Sequence, residues 1–290
     1  MTDHTHVTKL NFSTLQPASI NASVFQGSAI GPALFLLNSM DLIPLHSNCS
    51  MDKYADDTYL IVPAGSDHHI QSEIHSIEIW AKANNLKLNT NKCQEMVIYP
   101  SEKARTNGKV ISPLPSIERV QSMKILGVVI DKNLGISKHI DFICQAASQS
   151  LYAIKLLKAH GLDKISIHNV CKAVVISRLI YAVPAWWGFS NADDRQKLQA
   201  VVNRAIKWDF YKATDPCIQT IVYDIESKLF FNILNNKFHV LYQFLPPVKS
   251  NMHNLRPKAH NRELPNKTSA LVAKNFLSRL LYQTLNPTVT

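Results

Sequence analysis

The chain has 290 residues, with 31 Lys and Arg against 21 Asp and Glu, a formal charge of +10, and 46% apolar residues. That composition excludes a disordered chain, the length suits one large or two modest domains, and the charge points to a polyanionic partner such as nucleic acid. Five cysteines, at 49, 93, 144, 171 and 217, are odd in number, widely spaced and without a CxxC pair, which argues against a disulfide framework and against a zinc knuckle.

Residues 1–24 are polar and rich in Ser, Thr and Asn, and are expected to form a frayed strand or loop. Gln26-Gly27 then precede a helix. Pro32 suits its first turn, where a missing N–H costs nothing, and Ala33 to about Leu42 continue it. Glycine at 27 either lets backbone approach a ligand or makes a tight turn. Next comes Tyr54-Ala55-Asp56-Asp57, followed by the β-rich run Thr58–Val62. Asp is common in turns and poor in strand interiors, so a β-hairpin ending near Pro63 is expected, with the Asp pair near its turn. Carboxylates at such a tip can hold a divalent metal. The plain alternative is a polar turn.

Ser66 or Asp67 can cap the following helix. Its Ile70, Ile74, Ile77 and Ala81 recur at helical spacing until Asn84-Asn85 ends it. Lys92 is either a solvated lysine or a cation for phosphate. A strand is expected at about Gln94–Tyr99, a polar surface loop over 101–118, and a strand over Lys124–Asp131. Gly127 inside that strand marks a bulge or a close approach by backbone or ligand.

From Ser137 the texture becomes helical. Ile140, Ile143, Ala147, Leu151, Ile154 and Leu157 form one stripe ending at Gly161. Ile165–Val183 and Asp193–Tyr211 make two more helices. The most apolar stretch, Val174 to Phe189, is broken by Arg178 and Pro184, so no membrane span is expected. Trp186-Trp187-Gly188-Phe189 either closes a helical core or offers a stacking platform. Residues 245–269 read as a loop or extended tail. Between Lys249 and Arg279 stand seven Lys/Arg and one acid, Glu263: a phosphate-contacting stripe or a solvated basic tail.

Four segments in order carry a resemblance. They are Gln26-Gly27-Ser28-Ala29-Ile30-Gly31-Pro32-Ala33-Leu34-Phe35, Tyr54-Ala55-Asp56-Asp57, Asn84 to Lys92, and Ile125-Leu126-Gly127-Val128-Val129-Ile130-Asp131. The set resembles palm motifs B, C, D and E of the reverse transcriptases of non-LTR, LINE-like retrotransposons of the jockey or CR1 type. Leu255-Arg256-Pro257 to Leu264-Pro265 and Asn275-Phe276 to Leu281-Tyr282 resemble the end of these frames. The resemblance thus covers most of the chain from about Phe25.

The resemblance implies an α+β fold. After the polar segment 1–24, a partial palm (25–133) packs an antiparallel sheet against helices. A helical thumb-like region (134–244) and a basic tail (245–290) with a terminal helix follow. The implied activity is RNA-directed DNA polymerisation with two Mg²⁺ ions, on an RNA template, a DNA primer and dNTPs. Asp56 and Asp57 would be the catalytic metal ligands, Asp56 the more direct. Lys92 would protonate or screen the leaving pyrophosphate; Cys93 stands where related chains often carry Ser or Thr. Gln26 and Gly27 would contact template and nucleotide, and Tyr54 the primer end. Lys124, Leu126 and Gly127 would form the primer grip. Lys249, Arg256, Lys258, Arg262 and Lys267 would contact the nucleic-acid backbone.

The family places a further metal-binding Asp, in motif A, several tens of residues before motif B. Here 25 residues precede Gln26, and Asp3 is their only acid. The expectation is a C-terminal portion lacking fingers and motif A, inactive alone unless another chain supplies the missing palm strand. The alternatives are a non-catalytic nucleic-acid-binding remnant of a mobile element and a degenerate fragment without function. The cysteine pattern and a polar N-terminus without an apolar h-region place the chain inside the cell, cytoplasmic or nuclear and not secreted.

Overall fold

A computed structural model describes residues 4–7, 9–10, 13–14, 16–20, 29–99, 111–249 and 260–283. They divide into two units. One takes its residues from 1–95 and 109–119, the other from 96–108 and 120–290. The fold mixes helices with small two-stranded sheets.

In the first unit, β1 (His4–His6) pairs antiparallel with β4 (Ala18–Ile20), and β2 (Lys9–Leu10) pairs with β3 (Ser13–Thr14) between them. Where the sequence promised a frayed strand or loop, these segments make nested hairpin pairs. Helix α1 (Gly31–Asn38) carries Pro32 in its first turn, where proline's fixed φ favours a helix start. It stops short of the expected Leu42.

Strands β5 (Ser50–Tyr54) and β6 (Asp57–Ile61) form the expected hairpin. A 3₁₀ turn, Asp67–His69, leads into α2 (Ile70–Ala83). The Ser66 hydroxyl does not cap it but accepts from Asn48 Nδ2 at 2.6 Å. Asn84 ends α2, and Asn85 takes a left-handed φ of 54°, which Asn tolerates.

Glu73, on the inner face of α2, is fully buried. Its carboxylate accepts from the backbone N–H of Leu45 (2.9 Å) and of His46 (2.8 Å), and the His46 ring lies 2.9 Å away. Burial pushes the carboxyl pKa up, yet these donors outweigh it and leave the pKa lowered. The segment entering β5 therefore hangs from α2. The strand expected over Gln94–Tyr99 shortens to β7 (Gln94–Glu95), parallel to β8 (Glu118–Arg119). A Glu95–Arg119 ion pair of 2.8 Å fastens the two. Residues 101–110 of the expected loop lie outside the described residues.

The second unit opens with β9 (Ser122–Ile125) and β10 (Val128–Asp131), paired antiparallel. This corrects the single strand expected over Lys124–Asp131: Leu126-Gly127 is a two-residue turn. Helix α3 (Ser137–Ala159) buries Ile140, Ile143, Ala147, Leu151 and Ile154. Each large apolar side chain so buried contributes about 1.5–3 kcal/mol. Leu157, expected on the same stripe, is 42% exposed.

Asp163 caps α4 (Lys164–Val170) by accepting from Ile165 and Ser166 N–H. A π-turn, Cys171–Ile176, joins it to α5 (Ser177–Leu179). Ala182, at φ 50°, breaks the run before α6 (Val183–Trp186), whose first turn holds Pro184. Lys164–Phe189 has the length and hydropathy of a membrane-crossing helix. Its Ile167, Cys171, Val175, Leu179, Val183 and Trp186 instead fill the core with α3 and with Leu198, Val201, Val202 and Ala205. Helix α7 (Ala192–Lys207) starts with a capping box between Asn191 and Asp194.

Helix α8 (Ile218–Asn235) spans from this core to a smaller one, where Phe230 and Ile233 meet Leu245, Leu280 and Leu281. The last three come from the segment before Pro246 and from α10 (Phe276–Gln283), which follows α9 (Ala270–Lys274). Contacts to Glu226 and to Gly188 are among those that hold these terminal helices. The Arg279 guanidinium donates twice to the buried Glu226 carboxylate, Nη1 to Oε2 at 2.7 Å. Gly188 lies so close to the Lys274 carbonyl that no side chain fits there.

Candidate active site

The β5–β6 hairpin presents the acidic pair. Tyr54 pairs with Asp57, so Ala55-Asp56 is the turn. Ala55 takes the left-handed φ of 51° and Asp56 does not, the sign pattern of a II′ turn, which normally asks for glycine. Alanine carries there a Cβ that a positive φ crowds. Asp56 and Asp57 are both exposed, and Tyr54 is 65% exposed.

Strand alternation puts Asp52, Tyr54 and Asp57 on one face and Lys53 on the other. The Lys53 ammonium donates to the carbonyls of Ser39 and, at 2.8 Å, Leu42. A cation belongs there, at the negative end of α1. The neighbouring positive charge is thus turned away from the acidic pair. Among the described residues, no side-chain hydrogen bond or ion pair engages Asp56 or Asp57.

Two exposed, unengaged carboxylates at a tight turn suit a hard divalent cation such as Mg²⁺. Among the described residues, however, no group of three or more His, Cys, Asp or Glu is placed to hold a metal. The pair fits as part of a donor set. Asp52 is a carboxylate that the sequence reading passed over; its signal was the two-residue spacing to Tyr54 along one strand face.

Lys92 lies exposed in a 3₁₀ turn, Thr90–Lys92, of the same unit. Beside it the Cys93 thiol donates to Asn89 O at 3.3 Å, and burial pushes its pKa up. Gln26 and Gly27 lie outside the described residues.

The other expected site residues belong to the second unit. Lys124 stands on β9 with its ammonium 5.8 Å from the centre of the Phe142 ring. Leu126 and Gly127 form the β9–β10 turn with φ of 46° and 89°, the double-positive pattern of a I′ turn. Lys249 is half-buried next to the Val248–Arg262 bridge. Arg262 donates to Pro246 O at 3.0 Å and to the Tyr242 hydroxyl at 2.9 Å, and Lys267 sits 3.9 Å from the centre of the Tyr282 ring. Arg262 is therefore part of the wall of the smaller core. Arg256 and Lys258 lie outside the described residues. Trp186 and Trp187, 1% and 6% exposed, close the core and offer no stacking platform.

Residues 3–130 match the family of reverse transcriptases (RNA-dependent DNA polymerases). The chain is 25% identical, over 65% of its length, to a probable RNA-directed DNA polymerase from transposon X-element of Drosophila melanogaster. It is 26% identical, over 60% of its length, to the RNA-directed DNA polymerase from mobile element jockey of the same fly. It spans 22% and 20% of those two proteins. No solved structure matches. The chain is thus similar to reverse transcriptases of Drosophila mobile elements, and the segment that matches the reverse transcriptase family contains the Tyr54–Asp57 hairpin.

Proposed function

We propose that the chain is a portion of an RNA-directed DNA polymerase, with residues 25–133 as a partial palm and the helices after Ser137 as its thumb. The observation that carries this reading is the β5–β6 hairpin, with Asp56 and Asp57 exposed and unengaged at its turn, inside the segment that matches the family. In the reaction, the primer 3′ hydroxyl attacks the α-phosphorus of a dNTP. A P–O bond forms, the bond to the bridging oxygen breaks, pyrophosphate leaves, and the hydroxyl proton passes to solvent. Asp56 and Asp57 would hold Mg²⁺, which would supply charge stabilisation for phosphoryl transfer.

Tyr54, on the face of Asp57, packs beside the primer end. Lys92 neutralises the leaving pyrophosphate. Gln26 and Gly27 serve template and nucleotide, and the Leu126-Gly127 turn with Lys124 grips the primer. Lys249, Arg256, Lys258, Arg262 and Lys267 add positive charge for the nucleic-acid backbone, in keeping with the net charge of +10. An intracellular location, cytoplasmic or nuclear, completes the proposal.

Two-metal chemistry takes several carboxylates gathered at one point, and no group of three is so placed among the described residues, so the chain by itself binds primer–template without extending it. The test uses the full chain and an Asp56→Asn, Asp57→Asn double variant. Wild type is expected to bind Mn²⁺, read by electron paramagnetic resonance, at least tenfold more tightly than the variant. Both should bind an RNA template with an annealed DNA primer, at least tenfold more weakly at 200 mM than at 50 mM salt. Mn²⁺ binding that survives the double substitution would refute the metal assignment. Primer extension by wild type but not by the variant would refute the incomplete site. Retained nucleic-acid binding without any Mn²⁺ site would favour a non-catalytic binding remnant.

A further inference from the structure

The β9–β10 turn is held by a residue that nothing in its own motif specifies. Leu126 takes a left-handed φ of 46°, where a leucine Cβ crowds the following carbonyl oxygen. Leucine at this turn position also lacks the side-chain hydrogen bond by which Asn or Asp eases such a conformation. The turn is braced from outside. The Tyr181 hydroxyl donates to the Leu126 carbonyl at 3.1 Å, across 55 residues of sequence. The edge of its ring covers Gly127 so closely that a Cβ built there would lie 2.9 Å from Tyr181 Cε1.

Tyr181 is not a core residue that happens to reach the turn, for it is 55% exposed. Its own backbone is fixed from the other side. The Trp186 indole N–H donates to the Tyr181 carbonyl at 2.9 Å, and the left-handed Ala182 follows at φ 50°. Trp186 is 1% exposed, so the brace is rooted in the main core. The hairpin is met again at Val129, whose N–H faces His139 Nδ1 at 3.4 Å, and the His139 ring stands edge-on to Trp186 at 5.4 Å. One buried indole thus backs both ends of the hairpin's outer half, and the tip carries Leu126 in the open, 41% exposed.

We infer that Tyr181 is a positioning residue that presents the Leu126-Gly127 turn to the 3′ end of a bound primer. This rests on the reading of that turn as the primer grip. Tyr181 acts through the turn, setting where Leu126 and the backbone of Gly127 stand, and it explains why position 127 must lack a side chain.

The test is photocrosslinking of the full chain to an RNA template annealed to a DNA primer ending in 4-thiothymidine, with crosslinked peptides mapped by mass spectrometry. Overall affinity is followed by fluorescence anisotropy of the same duplex. Wild type is expected to crosslink within 122–128. Tyr181→Ala should lower that yield five- to tenfold while overall affinity changes less than twofold. Tyr181→Phe, which keeps the ring and loses only the hydroxyl, should lower it two- to threefold. A turn crosslink that is present in wild type and unchanged in both variants would overturn the inference and leave the primer-grip reading standing. A yield that falls only in proportion to overall affinity would reduce Tyr181 to a structural role and overturn it too. Binding by wild type with no crosslink in 122–128 would overturn the primer-grip reading itself.

Discussion

Replacing Glu73 is the sharpest probe of how the acidic hairpin is held. Glu73→Ala removes a buried acceptor of two backbone N–H groups, those of Leu45 and His46, and frees the His46 ring. A hydrogen bond to a charged group is worth about 1.5–3 kcal/mol, and a buried donor left unpaired costs about 1–3 kcal/mol. Water reaching the vacated space recovers part of this, so the expected loss is about 3–5 kcal/mol. Glu73→Gln keeps one carbonyl oxygen for one N–H and should lose about half as much. The assay is urea unfolding together with native-state hydrogen exchange of a peptide covering 43–49. At roughly 1.4 kcal/mol per factor of ten, the Leu45 and His46 amides should exchange at least a hundredfold faster in the alanine variant. Acid adds a sign. The folded carboxyl pKa lies below the usual glutamate value of 4.5, so its contribution is complete above that pH and is lost as pH falls through the lowered folded value. The glutamine variant should lack that acid step. Unchanged exchange at 45 and 46, with an unfolding midpoint matching wild type, would refute the view that the entry to β5 hangs from α2.

Gly188→Ala places a methyl group against the Lys274 carbonyl, so α9 and α10 should detach; limited proteolysis is expected to cut between 260 and 283 in the variant and to spare wild type. His139 is buried, and burial together with the Lys124 charge holds its ring below the usual imidazole pKa of 6.5. The unfolded chain then binds the proton more readily, so stability should fall as pH drops below 6.5 and down to the lowered folded value. His139→Phe should flatten that part of the profile in urea unfolding measured between pH 7.5 and 5.5.

How much of this was legible beforehand depends on the range of the interaction. The Asp56-Asp57 hairpin, Pro32 at a helix start and most of the α3 stripe follow from local turn chemistry and period. The β9–β10 turn was missed because Leu-Gly is not among the dipeptides that announce a hairpin; its brace, Tyr181, lies far along the chain. Glu73 read as one more polar residue on an amphipathic helix, since nothing in the sequence shows that Leu45 and His46 fold back onto it. Arg262 and the tryptophan pair show the same limit. A basic or aromatic residue reads alike whether it awaits nucleic acid or closes a core, and only packing separates the two.

The Arg279–Glu226 pair has a consequence for how the chain comes to be. Glu226 is 3% exposed and lies on the helix that joins the larger core to the smaller one. Its counter-charge stands 53 residues later. During synthesis the larger core can gather as soon as its helices emerge, but the far half of α8 must wait with an acid facing inward. A product ending before residue 279 would carry that carboxylate buried without its guanidinium, at a cost of about 3–5 kcal/mol. The smaller core is therefore expected to close only after residue 279 has joined it.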